Sequence, residues 1–337
     1  MDVVKLMYSY CFFFHRPPPW LPVMNPDAYR DVDGLWMHSF FHEDMVRSAL
    51  AYSPQPDDLF IVTYPKCGTT WMQYLILSIL SKGHPPKTVT DFMLASPFLE
   101  MMGAESAEMM PRPGPIKTHL PFDRQPYSEQ AKYIYVTRNP YDVCVSFYYY
   151  MRCFTPRRVE DVSFAKFHEM FLSGKLAFGP YFDHLLSWYE HRNDPNVLFF
   201  TYEEMKKDPK FWTLKIADFI DKQYGDELRK DDTMLQAVLD ASSLKNMQGV
   251  FNDHIQPDVK DLLCLPPERR IKSMEVYRER TVIEEELHQY TGFVRKGIVG
   301  DWRAHFTPEL IEKTKSWIHE KTRGSDVMAL WKDIDLP

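Results

Sequence analysis

Apolar residues along this chain fall in short bunches of two alternating kinds. Asp58 to Pro65, DLFIVTYP, is a β-branched and aromatic run that reads as a strand. After a short loop, WMQYLILSIL (Trp71 to Leu80) has the length of a helix. GPIKTHLP (Gly114 to Pro121) is a short apolar strand that ends in charged residues, and KYIYVTR (Lys132 to Arg138) is another. NPYDVCVSFYYYMR follows as a helix, with Asn139 as its cap and Pro140 in its first turn. NVLFFTYEEM (Asn196 to Met205) repeats the strand pattern ahead of a helix around Phe211 to Ile220.

Strands separated by helices imply parallel βαβ units, hence an α/β domain with a central parallel sheet flanked by helices. Ligands of such sheets bind outside the carboxyl ends of the strands. That rule gathers the loop Lys66 to Thr70, the pair Lys117 and His119, Arg138 and Tyr202, each at or just past a strand end. The helical region from about Asp226 to Lys245, with the polar segment after it, reads as an addition over the site. Residues 1–35 are expected to form a partly disordered N-terminal extension, with Pro17 to Pro19 as a stiff connector, and 36–337 to form the domain.

Composition narrows the function class. At 45% hydrophobic and 26% charged residues, with no run near the roughly 18 apolar residues of a membrane span, a globular protein without a membrane anchor is expected. The net charge of −7 argues against a general nucleic-acid binder and leaves room for a local basic pocket. Five widely spaced cysteines without a C-x-x-C pair argue against a disulfide framework or a zinc site. Leu6 to Phe14 faintly resembles the apolar part of a signal peptide, but Asp2 and the absence of a small-residue cleavage site weigh against that. A cytoplasmic location is the expectation.

TYPKCGTTW (Thr63 to Trp71) holds the glycine, hydroxyls and lysine of a phosphate loop in an unusual order. In the magnesium-dependent Walker loop the lysine follows the glycines, whereas here Lys66 precedes Gly68. A helix N-terminus favours an anion, and Thr69 and Thr70 add hydroxyls. An ordinary strand-to-helix turn would use the same residue types, so the motif alone leaves both readings open.

Read together, YPKCGTTW, KTHLP, RNPYDVCVSFY, TYEEM and RKGIVGDWRAHFT closely resemble the cytosolic sulfotransferase family. The resemblance implies a P-loop nucleotide-hydrolase-like fold, 3′-phosphoadenosine 5′-phosphosulfate as sulfuryl donor, a small-molecule acceptor and no metal. It assigns the 5′-phosphosulfate to Lys66, Cys67, Gly68, Thr69 and Thr70, and the 3′-phosphate to Arg138, Ser146, Arg295, Lys296 and Gly297. It assigns the adenine to Trp71, Tyr202, Ser242, Leu244, Met247 and Phe293. Leu244 stands where the family commonly has phenylalanine, which removes a π surface, and Cys67 stands where many relatives have serine.

In that reading His119 is the base, Lys117 and Lys66 stabilise developing charge, and Ser146 holds Lys66 aside until the acceptor arrives. The expected acceptor group is a hydroxyl or amine of a phenol or catecholamine, with a steroid alcohol second. The aromatic clusters at Phe40-Phe41 and Phe147 to Tyr150 are consistent with an apolar slot for it, and core packing explains most of them equally well. The family's dimer segment reads here RAHFTPELIE, with Pro308 in place of valine, which predicts a helix start and leaves monomer and homodimer both open. The rival readings are a P-loop kinase of a small metabolite and a non-catalytic ligand binder.

Overall fold

The computed structural model describes residues 28–153, 162–252, 262, 264–280 and 293–337. The expected N-terminal extension lies, up to residue 27, outside the described residues. Two short strands, β1 (Tyr29–Val32) and β2 (Leu35–His38), form an antiparallel hairpin that the strand-helix alternation did not foresee. Asp33 (φ 52°) and Gly34 (φ 87°) turn it, the left-handed pair that a two-residue hairpin needs.

The central sheet has the order β4-β3-β5-β6, built from β3 (Leu59–Val62), β4 (Pro115–Thr118), β5 (Lys132–Thr137) and β6 (Val197–Thr201). All its pairs are parallel, with Val62 beside Thr118 and Tyr135, and Thr137 beside Thr201. β3 is buried along its whole length, as a strand covered on both faces must be, which explains its unbroken apolar run. The sixth strand ends at Thr201, earlier than its apolar run suggested. Thr201 and Glu204 form a capping box there, so TYEEM opens a helix.

The helices that bear on the site are α1 (Thr69–Leu80), α2 (Leu99–Met102), α3 (Pro140–Cys153), α4 (Tyr181–Tyr189) and α5 (Tyr202–Lys207). They are followed by α6 (Pro209–Ile220), α7 (Lys222–Lys230), α8 (Asp232–Ala241), α9 (Leu244–Phe251) and α10 (Pro308–Lys321). Asn139 does cap α3, its side-chain oxygen accepting from the Asp142 N–H at 2.9 Å. The helical region expected over Asp226 to Lys245 is broken into α7, α8 and α9, because Asp231 and Ser243 start new helices with their side chains. Pro308 occupies the first turn of α10 behind the Thr307 cap. One apolar cluster joins Ile61 and Ile134 to α1, α6 and α8, while a larger one fills the other face around Phe60, Tyr133 and Trp188. No helix among the described residues is long and apolar enough to cross a membrane.

Candidate active site

β3, β4, β5 and β6 all run the same way, so their carboxyl ends share one edge and deliver Thr63, His119, Arg138 and Tyr202 to it. β4 lies on one side of β3 and β5 on the other, which opens a crevice at that edge.

The loop after β3 is strained toward this crevice. Lys66 has φ 73°, a left-handed value that costs a residue with a Cβ about 1–2 kcal/mol. Gly68 has φ 105°, and a Cβ there would stand 3.0 Å from Cδ2 of Tyr202. Thr201, Asp208, Ser243 and Thr307 cap their helices with side chains, whereas α1 starts from Gly68 with none. Its first-turn N–H groups therefore face the crevice as donors, where the helix dipole favours an anion. Thr70 is half-buried at the rim, while Thr69 is buried and its hydroxyl lies 2.6 Å from that of Thr63. Cys67 turns inward: its thiol is fully buried, burial pushes its pKa up, and its N–H donates to the Tyr64 carbonyl at 3.3 Å. It shapes the loop from within. The Lys66 ammonium lies 4.0 Å from the ring centre of Tyr150 and 5.1 Å from that of Phe293. Ser146 sits one turn before Tyr150 on α3, on the same helical face.

His119 follows β4 directly. Its Nδ1 lies 2.7 Å from the Thr63 carbonyl and 3.2 Å from the Thr63 hydroxyl. A carbonyl can only accept, so Nδ1 carries the proton and Nε2 keeps its lone pair. Burial, with help from the nearby Lys117 charge, holds the His119 pKa well below the ordinary histidine value, so the ring is neutral at physiological pH. Phe98 and Phe178 meet its ring edge-on with centroids at 5.1 and 5.2 Å, and Phe41 packs on both phenylalanines. The Lys117 ammonium lies 3.9 Å from the Phe98 ring centre. Burial lowers its pKa to about 8, against the opposing pull of Glu100.

Arg138 follows β5 directly and is almost fully buried. Its guanidinium lies 4.4 Å from the Tyr202 ring centre, one nitrogen donates to the Ile298 carbonyl at 2.9 Å, and Asp142 stands 3.6 Å away. Its Nε is buried and has no partner among the described residues. The RKG turn docks beside it: Asp142 accepts from the Gly300 and Trp302 N–H groups at 2.8 and 3.1 Å. Arg295 and Lys296 both pair with Asp301, at 2.5 and 2.8 Å. Gly297 (φ 57°) lets Leu244 close on the turn, because a Cβ there would lie 2.9 Å from Leu244 Cδ1. The Gln248 side chain donates to the Arg295 carbonyl at 2.8 Å, which ties the turn to α9.

The fold thus brings the expected residues into two groups on one edge. Trp71 and Tyr202 pack edge-to-face at 5.4 Å, and Met247, Phe293 and Trp71 share a small apolar cluster. Ser242 points back into its own helix, its hydroxyl donating to the Val238 carbonyl at 2.9 Å. The aromatic slot expected from Phe147 to Tyr150 divides: Phe147 and Tyr148 belong to the core, Tyr149 lies under Arg295 at 4.6 Å, and Tyr150 lies at Lys66. Sequence reasoning did not find Thr63, Phe98 or Phe178. Thr63 was inside the quoted loop motif and could have been noticed; the phenylalanines reach His119 only through tertiary packing. No group of three or more His, Cys, Asp or Glu side chains among the described residues is arranged to hold a metal ion.

The sulfotransferase domain family matches residues 56–253 and 269–326 of this chain. The amine sulfotransferase of Oryctolagus cuniculus is 33% identical over 280 residues, covering 82% of this chain and 84% of that protein. Human sulfotransferase 1E1 is 32% identical over 311 residues, covering 89% of this chain and 95% of its own length. The crystal structure of mouse sulfotransferase SULT7A1 complexed with PAP superposes with a TM-score of 0.66 at 27% identity, covering 91% of this chain and 98% of that one. With the parallel sheet, the phosphate loop and the RKG turn in place, these likenesses show that the chain is a sulfotransferase and belongs to the cytosolic sulfotransferase family.

Proposed function

We propose that the chain transfers a sulfuryl group from 3′-phosphoadenosine 5′-phosphosulfate to a hydroxyl or amine of a small acceptor, with phenols and catecholamines first and steroid alcohols second. The observation that carries this reading is the His119 tautomer: the Thr63 carbonyl takes Nδ1–H, so Nε2 is left as a neutral base at the strand edge.

The donor residues suit an ester with two separate anionic groups. The uncapped start of α1, Thr70 and Lys66 would hold the 5′ end, and Arg138, Arg295 and Lys296 the 3′-phosphate. The buried Nε of Arg138, unpartnered among the described residues, fits an acceptor oxygen on the donor. Ser146 would join them from α3, and the rings of Trp71, Tyr202 and Phe293, with Leu244 and Met247, would flank the base. When bound, this donor supplies an activated sulfuryl group on a phosphate leaving group.

His119 takes the acceptor proton at Nε2. The imidazolium that forms is buried, and charge developing nearby offsets the cost of that burial. Lys117 meets negative charge on the transferring group, and Lys66 meets it on the leaving oxygen once its ammonium leaves the Tyr150 face. Phe41, Phe98 and Phe178 exclude water around the base and offer edges to a flat acceptor. One relative is named an amine sulfotransferase, which keeps amines in the acceptor class. Pro308, as a helix start, weakens the case for the family's usual dimer contact and leaves a monomer or an altered homodimer.

The test is an acceptor panel of simple phenols, catecholamines, aryl amines and hydroxysteroids with ³⁵S-labelled donor, with and without EDTA. Transfer to a phenol or catecholamine that EDTA leaves unchanged is expected. Phosphate transfer from ATP that requires magnesium, or no transfer to any acceptor, would overturn the reading.

A further inference from the structure

His119 is held through its backbone as well as its ring. Its N–H donates to Glu100 Oε1 at 2.6 Å, and the same oxygen accepts from the Thr118 hydroxyl at 3.1 Å. Its carbonyl accepts from His184 Nε2 at 3.2 Å. The roles on His184 follow: Nε2 faces a carbonyl and must carry the proton, so Nδ1 accepts from the Tyr135 hydroxyl at 3.0 Å. Glu100 comes from α2 and His184 from α4, two elements that converge on one residue at the end of β4, and Tyr135 of β5 sets the His184 ring from behind.

These side chains are costly ones to place there. Glu100 and His184 are 0% and 1% exposed. Burial raises the Glu100 pKa to about 7 and lowers that of His184 to about 3, and Glu100 Oε2 has no partner among the described residues. What they achieve is geometric. The N–H and the carbonyl of His119 belong to the two peptide groups that flank its Cα, so pinning both fixes the Cα–Cβ direction. With Nδ1 tied to Thr63, the only remaining ring nitrogen, Nε2, is then aimed at one point.

We propose that Glu100 and His184 are positioning residues for sulfuryl transfer, clamping the two peptide groups on either side of His119 so that Nε2 meets the acceptor. The clamp rests on the reading of His119 as the base. It acts on kcat and leaves donor binding alone, because neither residue belongs to the phosphate loop or the RKG turn.

The experiment measures kcat, donor KM and affinity for 3′-phosphoadenosine 5′-phosphate in the full chain, using the best acceptor from the panel above. Glu100→Ala and His184→Leu are expected to lower kcat by about 10²-fold, the cost of an ångström-scale misplacement, with nucleotide affinity unchanged. Glu100→Gln keeps an oxygen where Oε1 lies and His184→Gln keeps a nitrogen where Nε2 lies, so both should recover most of that loss. Glu100→Asp draws the acceptor back by one methylene and serves if the truncations do not fold; it should lower kcat with KM unchanged. Normal kcat in folded Glu100→Ala, His184→Leu or Glu100→Asp would overturn the clamp, as would Gln variants as poor as the truncations. His119→Ala runs alongside: if it turns over normally, the base reading itself fails. An inactive His119→Ala beside a fully active Glu100→Asp removes the clamp alone.

Discussion

The two ends of this site are held by opposite means. Around His119 the fixing groups are mostly neutral donors and acceptors: the Thr63 carbonyl on the ring, His184 on the backbone carbonyl and, on the backbone N–H, Glu100, whose carboxyl burial raises to a pKa of about 7. Around Arg138 they are carboxylates: Asp142 beside Arg138 and Asp301 beneath Arg295 and Lys296. The first end is closed by aromatic rings, while the Arg295 and Lys296 side chains remain 21% and 51% exposed. One end is set by direction, and salt has little to screen there. The other is set by charge, with carboxylates holding in place the cations that an arriving phosphate would meet.

That contrast can be broken at several points. Lys117 carries charge into the neutral end, so Lys117→Ala should lower kcat by about 10²–10³-fold, the range for removing one preorganised donor. Its pKa of about 8 adds a pH signature. The ammonium is present below that value and lost above it, so kcat/KM should fall as pH rises through about 8. Lys117→Arg cannot lose its proton and should abolish that alkaline limb; a limb that stays in place would show that another group titrates. Next in size is Arg138→Ala. Charged hydrogen bonds are worth about 1.5–3 kcal/mol, so calorimetry should find 3′-phosphoadenosine 5′-phosphate bound about 10–150-fold more weakly, with kcat less affected. A loss confined to kcat would contradict the division between the two ends. The smallest effect is expected from Asp301→Asn, which loosens a partly exposed ion pair worth about 1 kcal/mol, so donor KM should rise about fivefold at low salt. The rise should shrink in high salt, and a salt-independent change would mean that Asp301 acts through shape.

The same contrast explains what was legible in the sequence. Strands β3, β5 and β6 announced themselves because burial on both faces demands runs rich in β-branched and aromatic residues. β4 was readable as a short apolar stretch ending in charge, and their shared carboxyl edge then followed from the parallel topology. Lys66, Arg138 and the RKG turn were readable because charge in a local motif is visible residue by residue. The hairpin of β1 and β2 was missed although Asp33-Gly34 is a strong turn signal, since its strands are short and carry polar residues. Glu100 and His184 were missed for a deeper reason. Each lies in an unremarked helix, and its bond to His119 exists only once α2 and α4 have packed against the end of β4. The inward turn of Cys67 likewise depends on backbone dihedrals that residue types do not dictate.

The central claim is that His119 is the base of a sulfuryl transfer whose donor is bound by other residues. Turnover of labelled donor by His119→Ala, measured beside its affinity for 3′-phosphoadenosine 5′-phosphate, tests this most directly. The account predicts a kcat lower by about 10²–10⁴-fold, the usual contribution of a positioned base, with nucleotide affinity unchanged. A His119→Ala variant whose kcat matches the parent would contradict it.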